Sequence, residues 1–137
     1  MNRSLFYYRQ VQFDYPDQKR IRQNVEVMDL SLRKCVPCEG GTSPFIAEQV
    51  TAYLKGLEEG WTVVENKLVR EFRFKDYGQT MDFVNKVAGI ADAENHHPLM
   101  HVYYAKAVVE LWTHAIGGLS ENDFILAAKI DRIKMQV

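Results

Sequence analysis

From about residue 42 onward the apolar positions fall into alternating periods of helix and strand. Ile46, Val50, Tyr53, Leu54 and Leu57 recur at spacings of three and four, which predicts a helix. Ser43-Pro44 ahead of them suits an N-cap followed by a first helical residue, and Gly60 closes the segment. In the runs Trp61–Val64 and Leu68–Phe74 the period becomes two: Leu68, Phe72 and Phe74 share one parity, and Val69, Glu71 and Arg73 the other. That pattern predicts a hairpin with one wet face, turning at Glu65-Asn66-Lys67. Asp76 can cap a second helix, whose stripe is Thr80, Phe83, Val84, Val87 and Ala91. Leu99–Tyr103 and Ala107–Trp112, short and rich in Val, Tyr and Trp, read as two more strands. Gly117-Gly118 makes a turn into Ser120-Glu121-Asn122-Asp123, a capping box with Asp in place of Glu, and Leu126, Ile130 and Ile133 carry the last helix.

The order helix, two strands, helix, two strands, helix, with short links within each strand pair, predicts an α+β fold. Its four-stranded antiparallel sheet carries the helices on one face. This domain spans residues 42–137. Residues 1–41 read as an extension in which aromatics mix with charges and no period persists; Val25 to Met28 could form a short strand. Pro37, Gly40, Gly41 and Pro44 interrupt the backbone between the two parts.

Charge narrows the function classes. With 17 basic and 18 acidic residues the formal net charge is -1, without the basic excess that phosphate contacts call for, so direct nucleic-acid binding is not expected. No apolar run approaches the ~18 residues that cross a bilayer, so a membrane partner is not expected either. Met1 to Gln10 lacks the apolar stretch of a secretory signal. Arg3, Arg9, Arg20 and Arg22 are countered by Asp14 and Asp17, so a cytoplasmic location is expected, with organelle targeting left open. Two cysteines, Cys35 and Cys38, make no disulfide framework, and they could hold zinc only with two ligands from elsewhere.

Chemistry concentrates in one stretch. All four histidines lie between residues 96 and 114. His96 and His97 are adjacent, and Pro98 pushes His97 toward extended backbone. His114 follows the last strand, and Asp92, Glu94 and Asn95 lie just upstream of the pair, where they can orient or charge-tune the rings. Such a cluster suits general acid–base work at neutral pH, while two neighbouring histidines on a loop can equally be solvated residues without a role. No His-Glu-x-x-His, nucleophile elbow or phosphate-cradling loop appears, so no metal or other cofactor is expected.

Asp92-x-x-x-His96-His97-Pro98, then Tyr104, Thr113-His114 and Gly118-Leu119-Ser120-Glu121-x-Asp123 together resemble the signature of the pterin-4a-carbinolamine dehydratases. A weaker similarity runs from about residue 43 to the end. Leu30–Cys38 and Glu121–Ile130 are most similar to plant-type members. The resemblance implies the α+β fold already read from periodicity. It also implies loss of water from a 4a-hydroxytetrahydropterin to give the quinonoid dihydropterin, in tetrahydrobiopterin recycling and without a cofactor. His96, His97 and His114 are then the catalytic residues. His97 and His114 would form the acid–base pair, with His96 binding and polarising. Asp92, Asn95, Pro98, Thr113, Ala115 and Ile116 are implied around the pterin, with Asp123 in support. A homodimer or homotetramer is implied as well. Two alternatives come with the family, a dimerisation partner of a transcription factor and a dehydratase-like protein serving molybdopterin metabolism. Two positions depart from the pattern: Leu99-Met100 stands where many members have Glu-Trp, and Asn95 where the animal enzymes have aspartate.

Overall fold

The computed structural model describes residues 29–37 and 42–135. The strand suggested at Val25–Met28 lies outside them, as do Cys38 and Gly40-Gly41. Among these residues three α-helices, α1 (Ala47–Leu54), α2 (Tyr77–Glu94) and α3 (Glu121–Asp131), accompany β1 (Thr62–Val64), β2 (Lys67–Arg73), β3 (Leu99–Val102) and β4 (Lys106–Leu111). The strands form one antiparallel sheet in the order β1-β2-β4-β3. The α+β architecture expected from periodicity is therefore observed.

Residues of one parity meet across the sheet. Leu68 pairs with Leu111, Arg70 with Val109 and Phe72 with Ala107, and this face meets Phe83 and Val87 of α2 and Phe124, Leu126 and Ile130 of α3 in a single core. Burial of that much apolar surface is the main force holding the layers together. Trp61, Phe72, Phe74 and Phe83 form a chain of tilted and edge-on ring contacts within it. The first hairpin turns on Glu65 and Asn66, both at positive φ, the geometry of a two-residue turn that follows the twist of the strands.

The second and third helices begin as expected. Asp76 Oδ1 accepts from the Gln79 N–H at 2.9 Å, and Asp123 reaches back to the Ser120 N–H at 2.9 Å. The first helix differs at both ends. Its N-cap is Ile46 rather than Ser43, because Pro44 and Phe45 are used elsewhere. The Phe45 N–H donates to the Leu119 carbonyl at 2.8 Å, and Pro44 packs so tightly on Gly118 that a Cβ there would stand 2.8 Å from the proline's own. The helix stops at Leu54, six residues before Gly60, which instead turns the chain at φ +112° into Trp61.

Helix α3 lies deepest. Seven successive residues, Asn122 to Ala128, are buried, so it is covered on every side, including by the segment before the domain. Leu30, in a short 3-10 turn (Leu30–Leu32), is only 1% exposed and belongs to the core. Among the described residues no helix is long and apolar enough to cross a membrane.

Candidate active site

Helix α2 ends in a way that presents the histidine pair. Asn95 adopts the left-handed conformation (φ 50°, ψ 40°) that stops a helix. Its N–H bonds back to Ala91 and Asp92 carbonyls, and the His96 N–H bonds to the Ala91 carbonyl at 3.1 Å. The chain then turns sharply, and His96 and His97 stand at the helix end before β3.

The two rings have different partners. His96 Nε2 lies 2.6 Å from Asp123 Oδ1; the carboxylate accepts, so this nitrogen carries the proton. Asp123 is fully buried at 0% exposure, and its Oδ2 accepts from the Ser120 N–H and from Thr113 Oγ1, both at 2.9 Å. Since the single Thr113 hydroxyl proton is spent there, Ser120 Oγ–H donates to Thr113 Oγ1 at 2.7 Å. The buried carboxylate is thus satisfied by three donors and fixes the His96 ring. His97 Nε2 lies 2.9 Å from Asp92 Oδ1, and both side chains are largely exposed. His114 opens the 3-10 turn His114–Ile116 just past β4, closed by Gly117 at φ 66°. Its ring lies tilted against Trp112 with centroids 4.3 Å apart, and Lys67 Nζ sits over the same Trp112 ring, 4.3 Å from its centroid.

These side chains surround a cleft of about 430 Å³ lined by Cys35, Val36, Pro37, Glu94, Asn95, His96, His97, Thr113, His114, Ala115 and Asn122, within the range of clefts that bind small molecules. All three expected catalytic histidines, with Asn95, Thr113 and Ala115, converge there. Asp92 reaches the site through His97, and Asp123 through His96 and Thr113. Pro98 and Ile116 are not in the lining. Tyr104 stacks on Tyr77 at 6.2 Å, and the fourth histidine, His101, pairs with Glu110 across β3 and β4. A second cleft of about 510 Å³ lies beside Arg70, Phe72, Phe74 and Asp131. It is larger but holds no histidine, and its buried acid is paired: Asp131 accepts from Trp61 Nε1 at 2.8 Å and from Arg70 at 2.6 Å. Among the described residues no group of three or more His, Cys, Asp or Glu side chains could hold a metal ion.

Sequence reasoning missed Cys35, Val36, Pro37 and Asn122, and it directed Glu94 toward the rings. Glu94 instead accepts the Cys35 N–H at 2.9 Å and pairs with Lys129 Nζ at 2.5 Å. Burial acts to raise its pKa, but the hydrogen bonds from Lys129 and Cys35 and the charges of Lys129 and Lys34 outweigh it and hold the carboxyl below its ordinary value. A polar Asn122 amid the apolar residues of the last helix was the signal that could have drawn attention to this side of the cleft.

The sequence profile of the pterin 4 alpha carbinolamine dehydratases matches residues 43–133. A protein of Nitrosomonas europaea, provisionally named pterin-4-alpha-carbinolamine dehydratase, is 55% identical over 107 residues, covering 78% of this chain and 95% of its own. A Rickettsia bellii protein with the same provisional name is 43% identical over 106 residues, covering 77% and 94%. Among solved structures, a Brucella melitensis protein described as a transcriptional coactivator/pterin dehydratase superposes with a TM-score of 0.61 at 29% identity, over 64% of this chain and 95% of that one.

Proposed function

The chain belongs to the pterin 4 alpha carbinolamine dehydratase family, and on that premise we propose that it dehydrates a 4a-hydroxytetrahydropterin to the quinonoid dihydropterin, serving tetrahydrobiopterin recycling. The observation that carries this reading is the convergence of His96, His97 and His114 on one cleft, with His96 fixed by a buried carboxylate. One imidazolium gives a proton to the 4a-hydroxyl, the C4a–O bond breaks, and water departs. A neutral imidazole takes the proton from a ring nitrogen, whose electron pair closes the C=N bond. His97 and His114 are the exposed rings free to trade protons with substrate and solvent, and they take these two roles. His96, committed to Asp123, binds and polarises. No metal or redox group is needed for an elimination of this kind.

Among the described residues the sheet ends in β1 and β3, edge strands with no further strand beside them, which supports a homo-oligomer of two or four copies. The Brucella description also names a coactivator; a protein acting solely as such a partner has no use for an oriented imidazole. The deciding experiment is a stopped assay with chemically generated 4a-hydroxytetrahydropterin. An initial rate above the spontaneous dehydration supports the enzyme, and a rate equal to it refutes the proposal.

A further inference from the structure

Three consecutive residues in the first turn of α3 hold three different things. Glu121 binds Arg33 and accepts from Tyr53 Oη at 3.2 Å. Asn122, only 4% exposed, grips Val36 from both sides: its Oδ1 accepts the Val36 N–H at 3.0 Å and its Nδ2 donates to the Val36 carbonyl. Asp123 holds His96. One helical turn therefore sets the histidine wall of the cleft and, through Asn122, a second wall built from the segment that precedes the domain. That segment is fastened elsewhere too, by Leu30 in the core, by the Glu94 carboxylate on the Cys35 N–H, and by Cys35 Sγ, 3.6 Å from the Asn122 carbonyl.

What these bonds hold in place is apolar. Val36 is 65% exposed although both its backbone groups are bound, and Pro37 beside it is also exposed; both line the cleft. Fixing a backbone this firmly in order to leave a valine and a proline facing an open cleft costs conformational freedom without burying apolar area in the protein itself. The cost is recovered when a ligand covers them. We propose that residues 35–37 form a substrate-binding wall, in which Val36 and Pro37 cover the apolar part of the pterin opposite its polar contacts with the histidines, and that Asn122 and Glu94 are positioning residues for this wall. The inference rests on the dehydratase reading and adds to it a binding element outside the histidine motif.

The test uses the full chain and two readouts: KM and kcat with the 4a-carbinolamine, and the affinity of a stable pterin, 7,8-dihydrobiopterin, followed by fluorescence. Val36→Gly and Asn122→Ala are each expected to raise KM and the dihydrobiopterin Kd by about five- to tenfold, with kcat within about twofold, because binding contacts are lost while the proton-transfer groups stay in place. Val36→Ile is expected to bind as the wild type does. Val36 is on the surface, so its variants report even where Asn122→Ala fails to fold. Unchanged KM and Kd in Val36→Gly, or a loss confined to kcat, would overturn the wall while leaving an active wild type and its dehydratase reading intact. A wild type that neither speeds dehydration nor binds dihydrobiopterin would overturn both.

Discussion

Asp123 Oδ1 lies 2.6 Å from His96 Nε2 while its other oxygen accepts from Thr113 and Ser120, so one buried carboxylate ties the end of α2, the end of β4 and the start of α3 into the floor of the cleft. This is more than a helix cap. Replacing Asp123 with Asn keeps the shape but puts an amide N–H toward at least one donor, leaving a buried polar clash. Turnover is expected to fall about tenfold or more as His96 loses its orienting carboxylate, with stability lower by roughly 1–3 kcal/mol. Steady-state rates and thermal melts check the two parts separately. A variant as active as the wild type would remove Asp123 from the site.

The acidic limb of stability should carry the imprint of Glu94. Its carboxyl is held below the ordinary value of 4.5 by Lys129, the Cys35 N–H and Lys34, against the opposing effect of burial. A carboxyl depressed in the folded state contributes stability that is fully present above its unfolded pKa. That contribution is lost as pH falls through the lower, folded one. The wild type should therefore lose stability below about pH 4.5 more steeply than Glu94→Gln, and the protection of the Cys35 amide relative to its intrinsic exchange rate should fall over the same range. Denaturation midpoints between pH 3 and 7 for the two proteins provide the comparison, and superimposable curves would exclude the effect.

Asp131 gives a prediction about stability alone. Its side chain is 5% exposed and meets Arg70, Trp61 and the Glu58 N–H, in the second cleft, which shares no lining residue with the histidine cleft. Truncation to Ala leaves the Arg70 charge and the indole N–H without their acceptor, at a cost of about 3 kcal/mol. The melting temperature should drop by roughly 10 °C, with kcat and KM unchanged at temperatures where the variant is folded.

The legibility of this chain in its sequence follows from the range of the forces involved. Period-two and period-three-to-four patterns are local, so the strands and the second and third helices could be read directly, and Asp76 and Ser120 marked their starts. The first helix was read in place but its start was set too early, because Ser43-Pro44 has the right local chemistry for a cap, while the decision was taken by a distant surface, Gly118-Leu119, against which Pro44 and Phe45 pack. The same contrast runs through the site. The histidines were visible as a cluster within nineteen residues of one another. The link from Asn122 to Val36 spans 86 positions, and nothing in the neighbourhood of either residue announces the other.

Truncation separates the two parts of the leading segment. Removal of residues 1–28 should leave fold and turnover intact, since Asp29, which pairs with Arg132, and Leu30, in the core, stay in the shortened chain. Removal of residues 1–37 strips Leu30 from α3 and the wall from the cleft, and is expected to lower the melting temperature and raise KM together. Circular dichroism melts and kinetics on the two truncated chains decide it; equal behaviour of both would show that residues 29–37 contribute nothing.

The histidines should act as a set. His97 and His114 sit on different elements, one after α2 and one after β4, and both line the cleft. If one gives and the other takes a proton in a single transition state, losing either removes most of what the pair supplies. Replacement of either by Ala should cut turnover by roughly 10²-fold, the lower end for one lost acid–base group, because this dehydration already proceeds unaided. The double variant should be little slower than the slower single one, since the two contributions are not independent. Binding of 7,8-dihydrobiopterin should persist in both single variants, as His96 and the Val36–Pro37 wall remain. Multiplicative losses in the double variant would mean that the two rings serve separate steps, and full activity in both single variants would move the chemistry out of this cleft altogether.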